Sequence, residues 1–187
     1  MLKPLTLLAW LLPAFAPAFA GERPATIPTR DVDVTYEIFG SGGGAAQMLS
    51  ERMRWDVAAG RMRVDPPTRG VYMLLDYRRH RLVAVRETAR TFIEMDAGRA
   101  TGTPAVGRNA TFRKLGTGTV AGVGCTEWDT RDSGGKPVLV CLTDDGVLLR
   151  ARDVDRTLMA AARVTYGPAD PTAFMPPAGF HRESPAP

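Results

Sequence analysis

Two cysteines and two histidines carry most of the reactive chemistry in this chain of 187 residues. Cys125 and Cys141 could be a redox pair, metal ligands or a disulfide. Their spacing is not C-x-x-C, and no histidine lies nearby in sequence. His80 sits in a run of basic residues and His181 in the tail, outside any zinc-ligand spacing, so both read as solvated surface residues. No Gly-x-Ser-x-Gly elbow is present. The acidic pair Asp144-Asp145 precedes Gly146, where aspartate serves as a turn former rather than one of a pair of catalytic carboxylates. Met48, Met53, Met62, Met73 and Met95 fall on apolar alternation positions, which is core packing rather than copper binding. Every enzyme reading lacks a first residue to name, so a non-enzyme is expected. No cofactor and no metal is implied.

The elements around the cysteines decide between their chemistries. Gly122 to Thr130 reads as a strand, Asp132-Ser133-Gly134-Gly135 as a turn, and Pro137 to Thr143 as the returning strand. With Asp132 and Ser133 right-handed and Gly134 left-handed, Cys125 falls directly opposite Cys141. The same register sets Trp128 opposite Val138 and Thr126 opposite Val140. The expectation is a structural cross-strand disulfide, worth about 3 kcal/mol.

Upstream, Asp31 to Phe39 alternates, with Val32, Val34, Tyr36 and Ile38 on one face. The Gly40 to Gly44 run has no Lys-Ser/Thr after it and reads as a hairpin loop, not a phosphate loop. Residues 45–57 suit a helix by composition, but Leu49, Glu51, Met53 and Trp55 alternate against Ser50, Arg52 and Arg54, which favours a strand. Arg61 to Val64, Val71 to Tyr77, Leu82 to Arg86 and Thr91 to Met95 follow as a meander with polar turns. Residues 96–111 form a long loop, the one place with room for a covering helix. Residues 156–166 suit helix or strand. The sum is a mainly β chain with little helix, one antiparallel domain over 31–180. A proline-rich, flexible lead-in at 21–30 and a disordered tail at 181–187 flank it.

Residues 1–20 have a basic start, an apolar stretch from Leu5 to Ala16, and Ala18-Phe19-Ala20 before Gly21. This is the pattern of a secretory signal peptide cut after Ala20. No cysteine follows the cut for lipid attachment, and no later run is long enough to span a bilayer. A periplasmic location agrees with an even cysteine count. Beyond the signal there are 21 arginines but only two lysines, Lys114 and Lys136. Arg78, Arg79 and Arg81 form the tightest cluster and could contact anionic groups such as lipid phosphates. Acids are interspersed among the basic residues, which makes solvated faces and turns the better account of most of them. The compartment and the scarcity of aromatics between charges argue against nucleic acid.

Three segments carry a resemblance: Gly124-Cys125-Thr126-Glu127-Trp128, then Val140 through Arg150, then Asp170 to Phe180 in the pattern Asp-Pro-x-x-Phe-x-x-Pro-x-Gly-aromatic. Arg61 to Pro67 and Tyr72 to Asp76 fit as well. Over 31–180 the chain resembles a poorly characterised family of exported Gram-negative proteins, similar in architecture to the outer-membrane lipoprotein carriers LolA and LolB. The resemblance implies an incomplete, half-open antiparallel barrel whose concave side holds acyl chains. On that reading Val34, Tyr36, Ile38, Met53, Trp55, Met73 and Leu75 are candidate ligand contacts. The expected role is a periplasmic binding or carrier protein for a lipid or other amphipath. The competing role is an interaction or stress-sensing module that docks on another envelope protein.

Overall fold

The computed structural model describes residues 23–40, 48–98, 106 and 110–184. The proposed signal peptide and most of the 96–111 loop, with any covering helix, lie outside the described residues. Twelve strands form one sheet: β1 Val32–Phe39, β2 Met48–Asp56, β3 Arg61–Asp65, β4 Val71–Asp76, β5 Arg81–Arg86, β6 Thr91–Asp96, β7 Arg113–Val120, β8 Val123–Arg131, β9 Pro137–Leu142, β10 Leu148–Arg152, β11 Thr157–Tyr166 and β12 His181–Glu183. A single 3-10 turn, Pro171–Phe174, lies between the last two. No helix among the described residues is long and apolar enough to cross a membrane. Both ambiguous segments are strands, β2 and β11. In β2 the alternation that buries Met53 and Trp55 prevails over helix-favouring composition.

The sheet runs β12-β6-β5-β4-β3-β2-β1-β11-β10-β9-β8-β7 and does not close. It does curl: β7 and β11 approach within 8 Å between Cα atoms. Four strand spacings in a flat sheet would hold them about 19 Å apart. Bulges between Thr35 and Tyr36, between Leu148 and Arg150, and between Ala151 and Arg152 mark where the strands bend.

The β2 to β6 meander uses one loop three times. Residues 57–60, 77–80 and 87–90 each join paired strands, with Gly60, His80 and Arg90 in the left-handed conformation at the last position. His80 is exposed, as expected, and its position in the turn explains its placement. Asp56 and Asp76 start two of these loops by accepting hydrogen bonds from the Ala59 and Arg79 amides.

Both ends of the described chain depart from expectation. The lead-in is docked rather than loose. Pro28 is buried, Thr29 donates its amide to the Asp145 carbonyl at 2.9 Å, and Arg30 pairs with the Asp145 carboxylate at 2.9 Å. Gly146 lies so close beneath this segment that a Cβ there would collide with the Ile27 carbonyl. The tail is also ordered as far as Glu183. Residues 181–183 form β12, the one parallel pairing among the described residues, along β6 from Thr91 to Ile93. Its first amide donates to the Arg90 carbonyl, and Glu183 pairs with Arg86.

The disulfide exists, joining Cys125 and Cys141 at a Cα separation of 5.5 Å. The hairpin around it differs from expectation by one turn residue. Gly135, not Gly134, takes the left-handed position, and the Asp132 amide donates to the Lys136 carbonyl. Trp128 therefore faces Val140 rather than Val138, and Thr126 faces Leu142 rather than Val140. The cysteines are diagonal neighbours on one face, because Cys141 lies directly opposite Glu127.

Candidate functional site: the apolar face of the sheet

Register alone assembles the site. Val34, Met53, Val64, Met73, Ala84 and Ile93 lie opposite one another in successive strands from β1 to β6. One step along, Val32, Trp55, Met62, Leu75, Leu82 and Met95 form a second row on the same face. Tyr36 and Ile38 extend the face along β1, opposite Glu51 and Leu49 of β2. All seven predicted apolar contacts thus share one face and one packed cluster.

They are not equally reachable. Val34, Tyr36, Met53 and Trp55 are buried by the protein's own side chains and act as core. Ile38, Met73 and Leu75 pack against that core and remain half-exposed. Leu49, Leu82, Ala84, Ile93 and Met95, which the sequence reading did not single out as contacts, complete the reachable apolar surface. Their signal was present: β4 and β5 are apolar at nearly every position, as strands covered on both faces are.

The opposite face of those strands is covered. Tyr72, Leu74, Val83 and Val85 are buried there, with Phe92 and Phe180 packed against them. Phe180 belongs to the C-terminal strap, residues 167–183. The strap is held near its start by Asp31, whose carboxylate accepts from the Ala169 amide at 3.0 Å and from the Val57 amide at 2.8 Å. Further along, Arg63 donates to the Ala173 carbonyl and lies 3.6 Å over the Tyr72 ring.

Arginines on that covered face hold acids of the same chain. Arg52 pairs with Asp33, Arg54 and Arg63 share Asp65, and Arg81 pairs with Glu94. Burial alone would push Asp65 up, but the two guanidiniums hold its carboxyl below the usual range. The predicted anion cluster does not converge on one point. Arg78 donates to the Ala58 carbonyl, Arg79 pairs with Asp76, and Arg81 turns to β6.

Two polar groups interrupt the apolar face. The Tyr36 hydroxyl is fully buried and donates to the Leu148 carbonyl at 2.8 Å. Burial pushes its phenol far above the ordinary tyrosine range, with the neighbouring Glu51 charge adding to the effect. Glu51, half-buried, is likewise pushed up by burial. Among the described residues no three His, Cys, Asp or Glu side chains come together to hold a metal ion.

Solved structures share this fold. An uncharacterised conserved protein from Thermus thermophilus superposes with a TM-score of 0.59 at 10% identity, over 84% of this chain and 91% of its own. MucB superposes with a TM-score of 0.53 at 12% identity, over 82% of this chain. The present chain spans 59% of MucB's length. A LolA superfamily protein from Nitrosomonas europaea matches over 80% of this chain at 9% identity, with a TM-score of 0.40, too loose to carry an argument. At these identities the likeness concerns the fold, an open antiparallel sheet of the kind the carrier resemblance implies. No family model and no curated protein matches the chain in sequence.

Proposed function

We propose that this is an exported, non-enzymatic binding protein that takes the hydrocarbon chain of an amphipathic ligand on the half-exposed apolar face of β4 to β6. One observation carries the reading. These strands are apolar on both sides, yet only one side is covered by the described chain, where Phe180 and the strap lie over Tyr72, Leu74, Val83 and Val85. The other side offers Met73, Leu75, Leu82, Ala84, Ile93 and Met95 in register, continuous with the buried core. A contiguous apolar surface of this kind marks a binding face. Export is supported by the disulfide, which belongs to an oxidising compartment.

Native mass spectrometry of protein recovered from the periplasm, followed by titration of delipidated protein with a fluorescent acyl probe, tests the reading. A co-purifying amphipath, or saturable probe binding that Met73→Glu abolishes without unfolding the protein, is the expected result. No bound lipid together with no saturable binding would overturn it.

A second reading is favoured by β7, a sheet edge whose Leu115 is 46% exposed. An open edge can accept a strand from another envelope protein. In-cell cross-linking that traps one stable partner through β7 would support it, and transient contacts alone would not.

A further inference from the structure

Among the strands β2 to β6, Arg86 is the one arginine on the apolar side. The register puts Arg52, Arg54, Arg61, Arg63 and Arg81 on the opposite, covered face. Arg86 lies two residues from Ala84 on β5, directly opposite Val71 of β4 and Thr91 of β6. It therefore closes one end of the half-exposed surface of β4 to β6. The row at the other end, Leu75, Leu82 and Met95, carries no charge. Between the two ends lie only Met73, Ala84 and Ile93, none of them buried. From end to end is four residues along the strands, roughly 13 Å, which is room for a medium-length alkyl chain.

What Arg86 holds tells what this end accepts. β12 pairs with β6 so that Arg182 falls on the covered side, where it pairs with Glu94, while Glu183 falls on the apolar side. From there the Glu183 carboxylate reaches across β6 to Arg86. A carboxylate of the chain's own tail thus sits at the polar end of an otherwise apolar surface. The Arg86 side chain is 47% exposed and that of Glu183 39%, so water reaches both and the pair is weak. Glu183 accepts from one guanidinium nitrogen, Nη2, of a fork whose five N–H groups suit a carboxylate. A competing carboxylate that carries an alkyl chain has an advantage over Glu183, because its chain is buried against Met73, Ala84 and Ile93.

We propose that Arg86 is the head-group site of the apolar face and selects an alkyl carboxylate, with Glu183 holding the site until the ligand displaces it. The ligand carboxylate accepts hydrogen bonds from the Arg86 guanidinium while its chain runs over Ala84 towards Leu82. This rests on the face being a binding face, and the experiment separates the two claims.

Laurate, dodecanol and dodecylammonium are titrated at neutral pH, below micelle formation, against delipidated wild type, Arg86→Gln and Glu183→Gln. Thermal melts confirm folding. The wild type should bind laurate more tightly than dodecylammonium by roughly fivefold or more. Arg86→Gln should reverse that order, since Glu183 is then left without its cation. Glu183→Gln should tighten laurate by roughly threefold or more, because the competing carboxylate is gone. If the three probes bind the wild type with no preference for laurate, the head-group inference fails while the binding face stands. The same holds if Glu183→Gln leaves laurate binding unchanged, even where Arg86→Gln does not fold. A pair that served only to tether β12 would lower the melting temperature on substitution and leave the order of the probes as it was. If none of the three binds the wild type, both claims fail.

Discussion

Asp145 ties the lead-in to the barrel wall through three side chains. Thr143 and Tyr166 donate to its Oδ1, and Arg30 donates to its Oδ2 while lying 4.1 Å over the Tyr166 ring. Burial on its own would push this carboxyl up; those donors prevail and hold it below the ordinary carboxylate range. A group whose pKa is lower when folded adds stability that is fully present above its unfolded value, about 3.9. That stability is lost as the pH falls through the folded value. The melting temperature should therefore hold level from neutral pH down to about that value and then drop. In Asp145→Asn the acid limb should be shallower and the neutral melting temperature lower. Melts followed by circular dichroism across that range check it. An acid limb identical in wild type and variant would assign the acid sensitivity to other paired carboxylates, Asp65 and Asp76 first. None of this network was legible from the sequence, where Asp145 reads as a turn residue beside Gly146. Thr143 is local to the turn, but Tyr166 and Arg30 come from β11 and the lead-in, distant in the chain.

At the scale of elements, the β8–β9 hairpin shows how far sequence reading reaches. The strands, the three-residue loop, the disulfide and the apolar face were all legible. The register was not, because Gly134 and Gly135 are adjacent and either can take the left-handed position. The choice follows from neighbours. With Gly135 left-handed, the Asp132 carboxylate accepts from both the Gly134 and Lys136 amides, and Trp128 packs with Val140 and Leu142. Moving the turn by one residue displaces each pairing by two, which preserves the faces, so the cysteines still meet. Closing a loop of 16 residues' separation should stabilise the fold by about 3 kcal/mol. Urea denaturation with and without reductant, and of Cys125→Ser/Cys141→Ser, should show that loss. A reduced protein as stable as the oxidised one would mean that packing alone fixes the hairpin. The face on β4 to β6 was half legible for a related reason. Alternation picks out Met73 and Leu75, but strands apolar on both sides give no sign of which side the chain itself will cover.

At the scale of the molecule, the sheet's stability depends on a strap whose Asp170 to Phe180 pattern the sequence displays without showing where it docks. After β11 the chain passes Asp31, lays Phe174 into a buried position, crosses to Phe180 and ends as β12 beside β6. Each anchor is modest, but together they cover Tyr72, Leu74, Val83 and Val85 and occupy part of the β6 edge. Removing residues 184–187 keeps all of these anchors in the chain and should leave the melting temperature unchanged. Stopping the chain after Met175 removes Phe180, the parallel pairing and the Arg86–Glu183 and Arg182–Glu94 ion pairs. The loss should be roughly 2 kcal/mol, the scale of one partly buried aromatic and a few edge hydrogen bonds. The exposed face and edge should then bind a hydrophobic dye and promote self-association, seen by light scattering. Phe180→Ala in the full-length chain separates the two contributions. It should increase dye binding without freeing the edge, so it should not self-associate to the same extent. If the shortened chain melts like the intact one and binds no dye, the outer face is held by the meander alone. The strap would then be an ornament rather than the sheet's second layer.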